Sequence, residues 1–454
     1  MAGGTWLSQN KVRPGAYINF KAVPKPSMTV GDRGIIAIPL ELSWGDSGKL
    51  IEVLSSDMLD GTSKKLVGFT AFDSESKLLA GALSYCYKAL VYRTNSGGVK
   101  ATATIGNIIA TAKYFGTFGN KIIIAISENT TTNLWTVITY VDGSQIDKQV
   151  IAQASELESN DYVDFSVAQE GTLEETEEGT LEETAGTSLS GGTNGTSVES
   201  TFYPTFLNLV AMAKWQTLVC FSSDSSIKSS IQTFIRQMRD DEGRYVQAVV
   251  ADYDGADFEG IINSISGAVI DGVTFSKEDF VAIVAGMTAG ANFNQSNTAR
   301  KITGATSIIG EMTDSQIKSA LSAGKFLLST SSDGSIKVEQ DINSLHTYTS
   351  DRNYNFSKNR VIRTLDEIGT TTKITWENVY MGKVDNNDTG RGLFKSDLVA
   401  YGNELQRLAG IQEFAGSDDI SVAQGNDLDA VLVEWYVKPV DSMEKLYMTV
   451  NVNS

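Results

Sequence analysis

The chain has 454 residues, too many for one compact core, so roughly two to four domains are expected. Apolar residues make up 41% of it, mean hydropathy is −0.11, and no run approaches the ~18 apolar residues that span a bilayer. With 37 basic against 55 acidic residues the net charge is −18, which argues against non-specific binding to nucleic-acid phosphates.

The first segment, Val12-Arg-Pro-Gly-Ala-Tyr-Ile-Asn-Phe-Lys-Ala-Val-Pro24, reads as an extended arm. Before it, Met-Ala-Gly-Gly-Thr-Trp offers neither a basic nor an apolar stretch, so no secretory signal is expected. Residues 34–42 form a buried-strand pattern, residues 74–89 carry apolar side chains at helical spacing, and Leu90-Val-Tyr-Arg93 is a further strand. From Gly97-Gly98 the character changes to short β-rich runs at 100–105, 121–126, 134–141 and 149–152. Asp142-Gly143 after the third run is a hairpin signal, so a small sandwich or barrel is inserted here.

Between Lys148 and Lys214 there is no Lys or Arg, yet twelve acids lie there. Without them 43 acids face 37 bases, so the acidity belongs mainly to one segment. Glu170-Gly-Thr-Leu-Glu-Glu-Thr176 recurs as Glu178-Gly-Thr-Leu-Glu-Glu-Thr184, followed by a Gly/Ser-rich linker. A solvated insertion is the reading, since no EF-hand spacing accompanies the acids.

Residues 201–345 read as an α/β domain. Strands are expected at 215–221 and 245–252, the second nearly continuous in apolar residues, as a parallel sheet requires. Helices are expected at about 227–240, 280–291 and 313–321, then strands at 326–330 and 336–339 around the turn Asp333-Gly334. Amphipathic helices follow at 358–368 and 392–410, the second stopped by Gly410. The chain closes in strand language, at 431–440 and 445–452, where Leu446, Met448, Val450 and Val452 alternate with Tyr447, Thr449 and Asn451.

Chemistry is sparse. His346 is the only histidine, Cys86 and Cys220 are far apart, and no nucleophile elbow, phosphate loop or Cys/His metal spacing is present. No catalytic residue, cofactor or metal ligand is expected. The alternatives are a hydrolase centred on His346 or on Asp252, Asp254 and Asp257, and another self-assembling shell such as an S-layer or capsid protein.

Val338-Glu-Gln-Asp-Ile-Asn-Ser-Leu345, Phe356-Ser-Lys-Asn-Arg-Val-Ile-Arg-Thr-Leu-Asp-Glu-Ile368, Tyr380-Met-Gly-Lys-Val-Asp-Asn-Asn-Asp-Thr-Gly-Arg-Gly-Leu393 and Val437-Lys-Pro-Val-Asp-Ser-Met-Glu-Lys-Leu-Tyr-Met-Thr-Val450 resemble contractile tail sheath proteins of phages and of R-type phage-tail-like bacteriocins. So do Arg13-Pro-Gly-Ala-Tyr17 and Ala112-Lys-Tyr-Phe-Gly-Thr-Phe-Gly-Asn-Lys-Ile122. The resemblance implies a non-enzymatic subunit of an α/β and α+β multidomain fold. It comprises an N-terminal arm (1–24), the first part of an α/β body (25–95), an inserted β domain with the acidic repeat (96–200), an α/β domain of subtilisin-like topology (201–345), a C-terminal α+β domain (346–430) and a C-terminal strand arm (431–454).

It further implies a helical homopolymer around an inner tube protein, with baseplate and tail-terminator partners. Neither nucleic acid nor direct membrane binding is expected, and the site is a tail particle assembled in a bacterial cytoplasm. Tyr17, Ile18 and Phe20 in the first arm, and Val433, Trp435, Val437, Leu446, Met448 and Val450 in the last, are the expected intersubunit contacts. Lys358, Arg363, Arg391 and Lys395 are the candidates to face the tube. Fully extended, residues 431–452 reach roughly 70 Å, well beyond the ~22 Å radius of gyration of a compact body this size.

Overall fold

A computed structural model describes residues 2–4, 15–17, 28, 33–167 and 181–452. Its contacts divide the chain into two units: residues 31–370 with 439–454, and residues 1–30 with 371–438.

The larger unit is organised by a seven-stranded sheet. In spatial order its strands are Lys325–Phe326, Ile261–Ser264, Gln247–Ala251, Thr217–Val219, Ile35–Leu40, Lys88–Arg93 and Leu50–Leu54. Every neighbouring pair is parallel except the last, which is antiparallel. The inner strands are buried on both faces, which explains their unbroken apolar runs. Alternate residues feed two cores: Ile36, Ile38, Val219 and Val249 enter one, and Ala37, Leu218, Ala248 and Val250 the other.

The first core is closed by the helices Lys77–Leu83 and Lys277–Gly290. The second of these is buried from Phe280 to Ala289 and starts on a capping box between Ser276 and Asp279. Gly286 lets the helices approach there, since a Cβ would sit 2.2 Å from the Ala82 carbonyl oxygen of the opposing helix and force a shift. The other face is covered by Glu199–Ala211 and Ser225–Arg236. The first of these went unread in the sequence because it follows the Gly/Ser linker and contains Pro204.

The insertion is a pair of sheets around one core. One has the order Ser144–Ile151, Leu134–Val141, Ile122–Asn129, Thr184–Ser188; the other has Val163–Val167, Ile108–Ala112, Thr102–Ile105. Asp142 (φ 50°) and Gly143 (φ 78°) make the expected tight hairpin turn. Trp44, from the body sequence, enters this core against Tyr114, Phe118 and Tyr162, with ring centroids 5.1–5.8 Å away. Asn95 ties the join: its amide donates to the Leu42 and Asn194 carbonyls while its oxygen accepts from the Leu42 N–H. Most of the acidic repeat, residues 168–180, lies outside the described residues.

The Asn359–Thr375 helix begins in the larger unit and its last residues, from Thr371, belong to the smaller one, where it ends in a wide turn at Trp376–Tyr380, followed by the helix Asp388–Arg407. Asn387 caps the latter by accepting from the Gly390 N–H at 2.9 Å. The stop expected at Gly410 comes earlier. Ala409 takes the left-handed position (φ 56°) and the Gly410 N–H closes onto the Leu405 carbonyl at 2.8 Å. Strands Ile420–Gln424 and Val431–Trp435 pair as an antiparallel hairpin beside this helix. Ala2–Gly4 pairs in parallel with Gly15–Tyr17.

Candidate assembly surfaces

The C-terminal segment divides in two. Residues 431–435 are not a free arm, because they form a hairpin with Ile420–Gln424 of the same chain. Val433, Trp435 and Val437 are half-buried. The Trp435 ring lies 6.1 Å from Tyr401 and 6.2 Å from Phe414, and the Gln412 N–H donates to the Lys438 carbonyl at 2.9 Å. The boundary expected at residue 431 therefore moves past Lys438. Cross-strand pairing and an aromatic floor on the preceding helix hold this stretch to its own unit.

Past Glu444 the chain changes. Leu446, Tyr447, Met448, Val450 and Val452 are all 70–89% exposed, and residues 441–452 have no regular secondary structure. Isolated exposed apolar residues need no explanation, but five within seven positions of an extended strand pattern do.

Where it leaves the body this segment is held. The Glu444 carboxylate accepts from Thr298 Oγ1 (2.7 Å), Gln340 Nε2 (2.6 Å), Ser442 Oγ (3.3 Å) and the Lys358 ammonium. Burial works to raise the Glu444 pKa, but Lys358, Gln340 and Thr298 outweigh it and hold the carboxyl below its usual range. Burial likewise works against the Lys358 ammonium, and Glu444 outweighs that too, leaving its pKa raised.

Two of the four cations expected to face a tube are buried within their own chain. Lys358 is 3% exposed and bound to Glu444; Arg363 is 0% exposed and bound to Asp341 at 2.5 Å. Asp341 also accepts from the Asn297 N–H and Asn359 Nδ2, each at 2.9 Å, and Arg363 donates to the Gln295 carbonyl at 2.6 Å. A mixed-charge amphipathic pattern reads as a solvated face, but here charged residues of the helix, Asp366 and Glu367 included, point into the body. Arg391 is mostly covered, bound to Asn386 and Asp388, and Lys395 is half-exposed.

In the N-terminal arm, Tyr17 ends the short strand Gly15–Tyr17, which pairs with Ala2–Gly4 of its own chain. Ile18 and Phe20 lie outside the described residues.

His346 is engaged by its neighbours in a loop. Its N–H donates to Asp257 Oδ1 at 2.8 Å, and its Nδ1 lies 2.9 Å from the Ser344 carbonyl oxygen. Ser344 Oγ donates to the Phe258 carbonyl. Asp252 is engaged by Lys277 and Lys325, and Asp254 by Lys325. These acids and this histidine therefore join loops to one another. No described helix is long and apolar enough to cross a membrane.

Glu444, Gln340 and Thr298 were missed in the sequence. Eighty-six positions separate Lys358 from Glu444, and Asp-Ser-Met-Glu between two strand runs reads as an ordinary turn.

Three family models match the chain: the phage tail sheath protein beta-sandwich domain over residues 96–194, the central domain over 198–344 and the phage tail sheath C-terminal domain over 351–453. The phage-like element PBSX protein XkdK of Bacillus subtilis (strain 168) is 34% identical over the full length of both chains. The crystal structure of a sheath tail protein from Desulfitobacterium hafniense is 38% identical, with a TM-score of 0.83 over 96% of this chain and 99% of that one. At 10% identity and a TM-score of 0.57, the anti-feeding prophage helical sheath in its contracted state shares the fold over 97% of this chain and 99% of its own. The chain belongs to the phage tail sheath protein family.

Proposed function

We propose that this sheath protein polymerises helically around an inner tube, and that the polymer contracts to drive the tube through a target cell envelope. The observation that carries the reading is the run of exposed apolar residues from Leu446 to Val452, which has strand alternation but no strand partner among the described residues. Such a segment gains main-chain hydrogen bonds and apolar burial by adding to a sheet edge of another copy. Leu446, Met448 and Val450 then meet the neighbour, and Val433 and Trp435 belong to the receiving hairpin. The contact is heterologous, so repetition generates an open helix and not a closed dimer.

The N-terminal arm, with Tyr17, Ile18 and Phe20, is the second link. Arg391 and Lys395 are the tube-facing candidates that remain. Baseplate and tail-terminator proteins are the further partners, in a tail particle assembled in the host cytoplasm. The doubly covered, mostly parallel sheet suits a subtilisin-like topology used as a scaffold without catalysis. On this reading the arms stay paired while the bodies rotate and slide from a metastable extended state to a better packed one.

Negative-stain electron microscopy of the purified protein tests this. Striated hollow cylinders are expected; discrete particles of uniform size, or flat lattices, would refute it.

A further inference from the structure

The C-terminal segment does not run from its hairpin directly into solvent. It first returns to the larger unit, where Glu444 meets its four donors. Three of them come from different places in the chain. Thr298 follows the Lys277–Gly290 helix, Gln340 follows the strand Ile336–Val338, and Lys358 immediately precedes the Asn359–Thr375 helix. Lys358 is prepositioned: its N–H donates to the Asn355 carbonyl at 3.1 Å, and its ammonium lies 5.6 Å from the centre of the Tyr354 ring. Asp441 adds a second carboxylate 3.9 Å from the ammonium. Beginning with Lys445, the next residue, the chain is exposed. Charge-assisted hydrogen bonds between covered groups hold far better than an ion pair on the surface.

We propose that Glu444 and Lys358 form the fixed root of the C-terminal arm. An arm held by a second copy then pulls on the body unit, through three of its segments at once, and not on the hairpin that precedes the root in the chain. The root also sets the arm's reach. From Glu444 to Val452 an extended chain spans about 26 Å, against about 46 Å if the last fixed residue were Lys438. A short tether passes motion of one body to the next with little slack. The part played by a second copy rests on the sheath reading above; the root itself does not.

Two measurements decide it. The first uses soluble full-length subunits and trypsin, which cleaves after Lys445. Protease access follows the population of the opened form, so Glu444→Gln and Lys358→Met should each be cut there at least about tenfold faster than wild type. Glu413→Gln, which breaks the exposed pair with Lys438, should leave the rate unchanged, and far-UV circular dichroism should be the same for all four proteins. Equal rates at Lys445 in every variant would overturn the root. The second measurement follows assembled particles through contraction. Glu444→Gln sheaths should separate into short stacks where wild-type sheaths stay continuous; variant sheaths that contract intact would overturn the transfer of tension. A wild-type protein that forms no cylinders refutes the sheath reading, while the trypsin rates still decide the root.

Discussion

Arg363 offers the sharpest test of how the Asn359–Thr375 helix is used. Its amphipathic helical segment and the sheath resemblance together made it a candidate surface cation for a tube partner, whereas the structure buries it completely against Asp341. Substituting Arg363→Met keeps the side chain's length but leaves the Asp341 carboxylate buried with only its Asn297 and Asn359 donors. Removing one partner of a buried pair costs about 3–5 kcal/mol. A half-exposed lysine changed to methionine, as at Lys395, should shift stability by no more than about 0.5 kcal/mol.

The assay is urea denaturation of soluble subunits followed by circular dichroism, comparing midpoints at constant slope. The double variant Asp341→Leu/Arg363→Met removes both charges and should recover part of the loss. Recovery stays incomplete because the Asn297 N–H and Asn359 amide are then orphaned, at about 1–3 kcal/mol each. If Arg363→Met unfolds at the wild-type midpoint but assembles poorly around a tube, the buried-pair account is wrong and the side chain belongs to a partner surface.

Deleting residues 445–454 should leave the circular dichroism spectrum of the subunit unchanged and abolish striated cylinders in electron micrographs, because Lys445 to Val452 are exposed, outside the core, and on the proposed reading serve assembly. Gly286→Ala should lower the thermal midpoint, since its Cβ meets the Ala82 carbonyl at 2.2 Å and overpacking of this kind costs about 1–3 kcal/mol. The root of the arm should depend on pH at both ends. Glu444 has a depressed pKa, so its contribution is complete above the ordinary carboxylate range and is lost as pH falls through the depressed value. Lys358 has a raised pKa, so its contribution is complete below the ordinary lysine value and is lost as pH rises through the raised one. Backbone order parameters for residues 441–445 measured by NMR should be flat across neutral pH and fall in acid; order that persists through the full protonation of Glu444 would contradict the ion-pair account.

The sequence by itself determined the elements with one dominant period and local punctuation. The parallel strand Gln247–Ala251 is apolar on both faces, so its run is unbroken. The hairpin at Asp142-Gly143 needs only two residues willing to take positive φ. The strand alternation from 446 to 452, and the family signatures along the chain, were legible for the same reason. Helix Glu199–Ala211 was hidden by Pro204 and the linker before it, because local propensity argues against a helix that packing into a core shared with the sheet and the Ser225–Arg236 helix nevertheless stabilises.

Only the tertiary structure decided which charges are surface and which are interior. Arg363 and Lys358 lie in a mixed-charge helical segment whose pattern is the same whether the acids that neutralise it are on its own surface or across a packed interface. Their partners, Asp341 and Glu444, are 22 and 86 positions away, and no spacing rule reaches that far. The same contacts divided the last strand region into a hairpin held at home and an arm that is free. Alternation states that a strand wants a sheet; which sheet it joins is settled by what the rest of the chain places beside it.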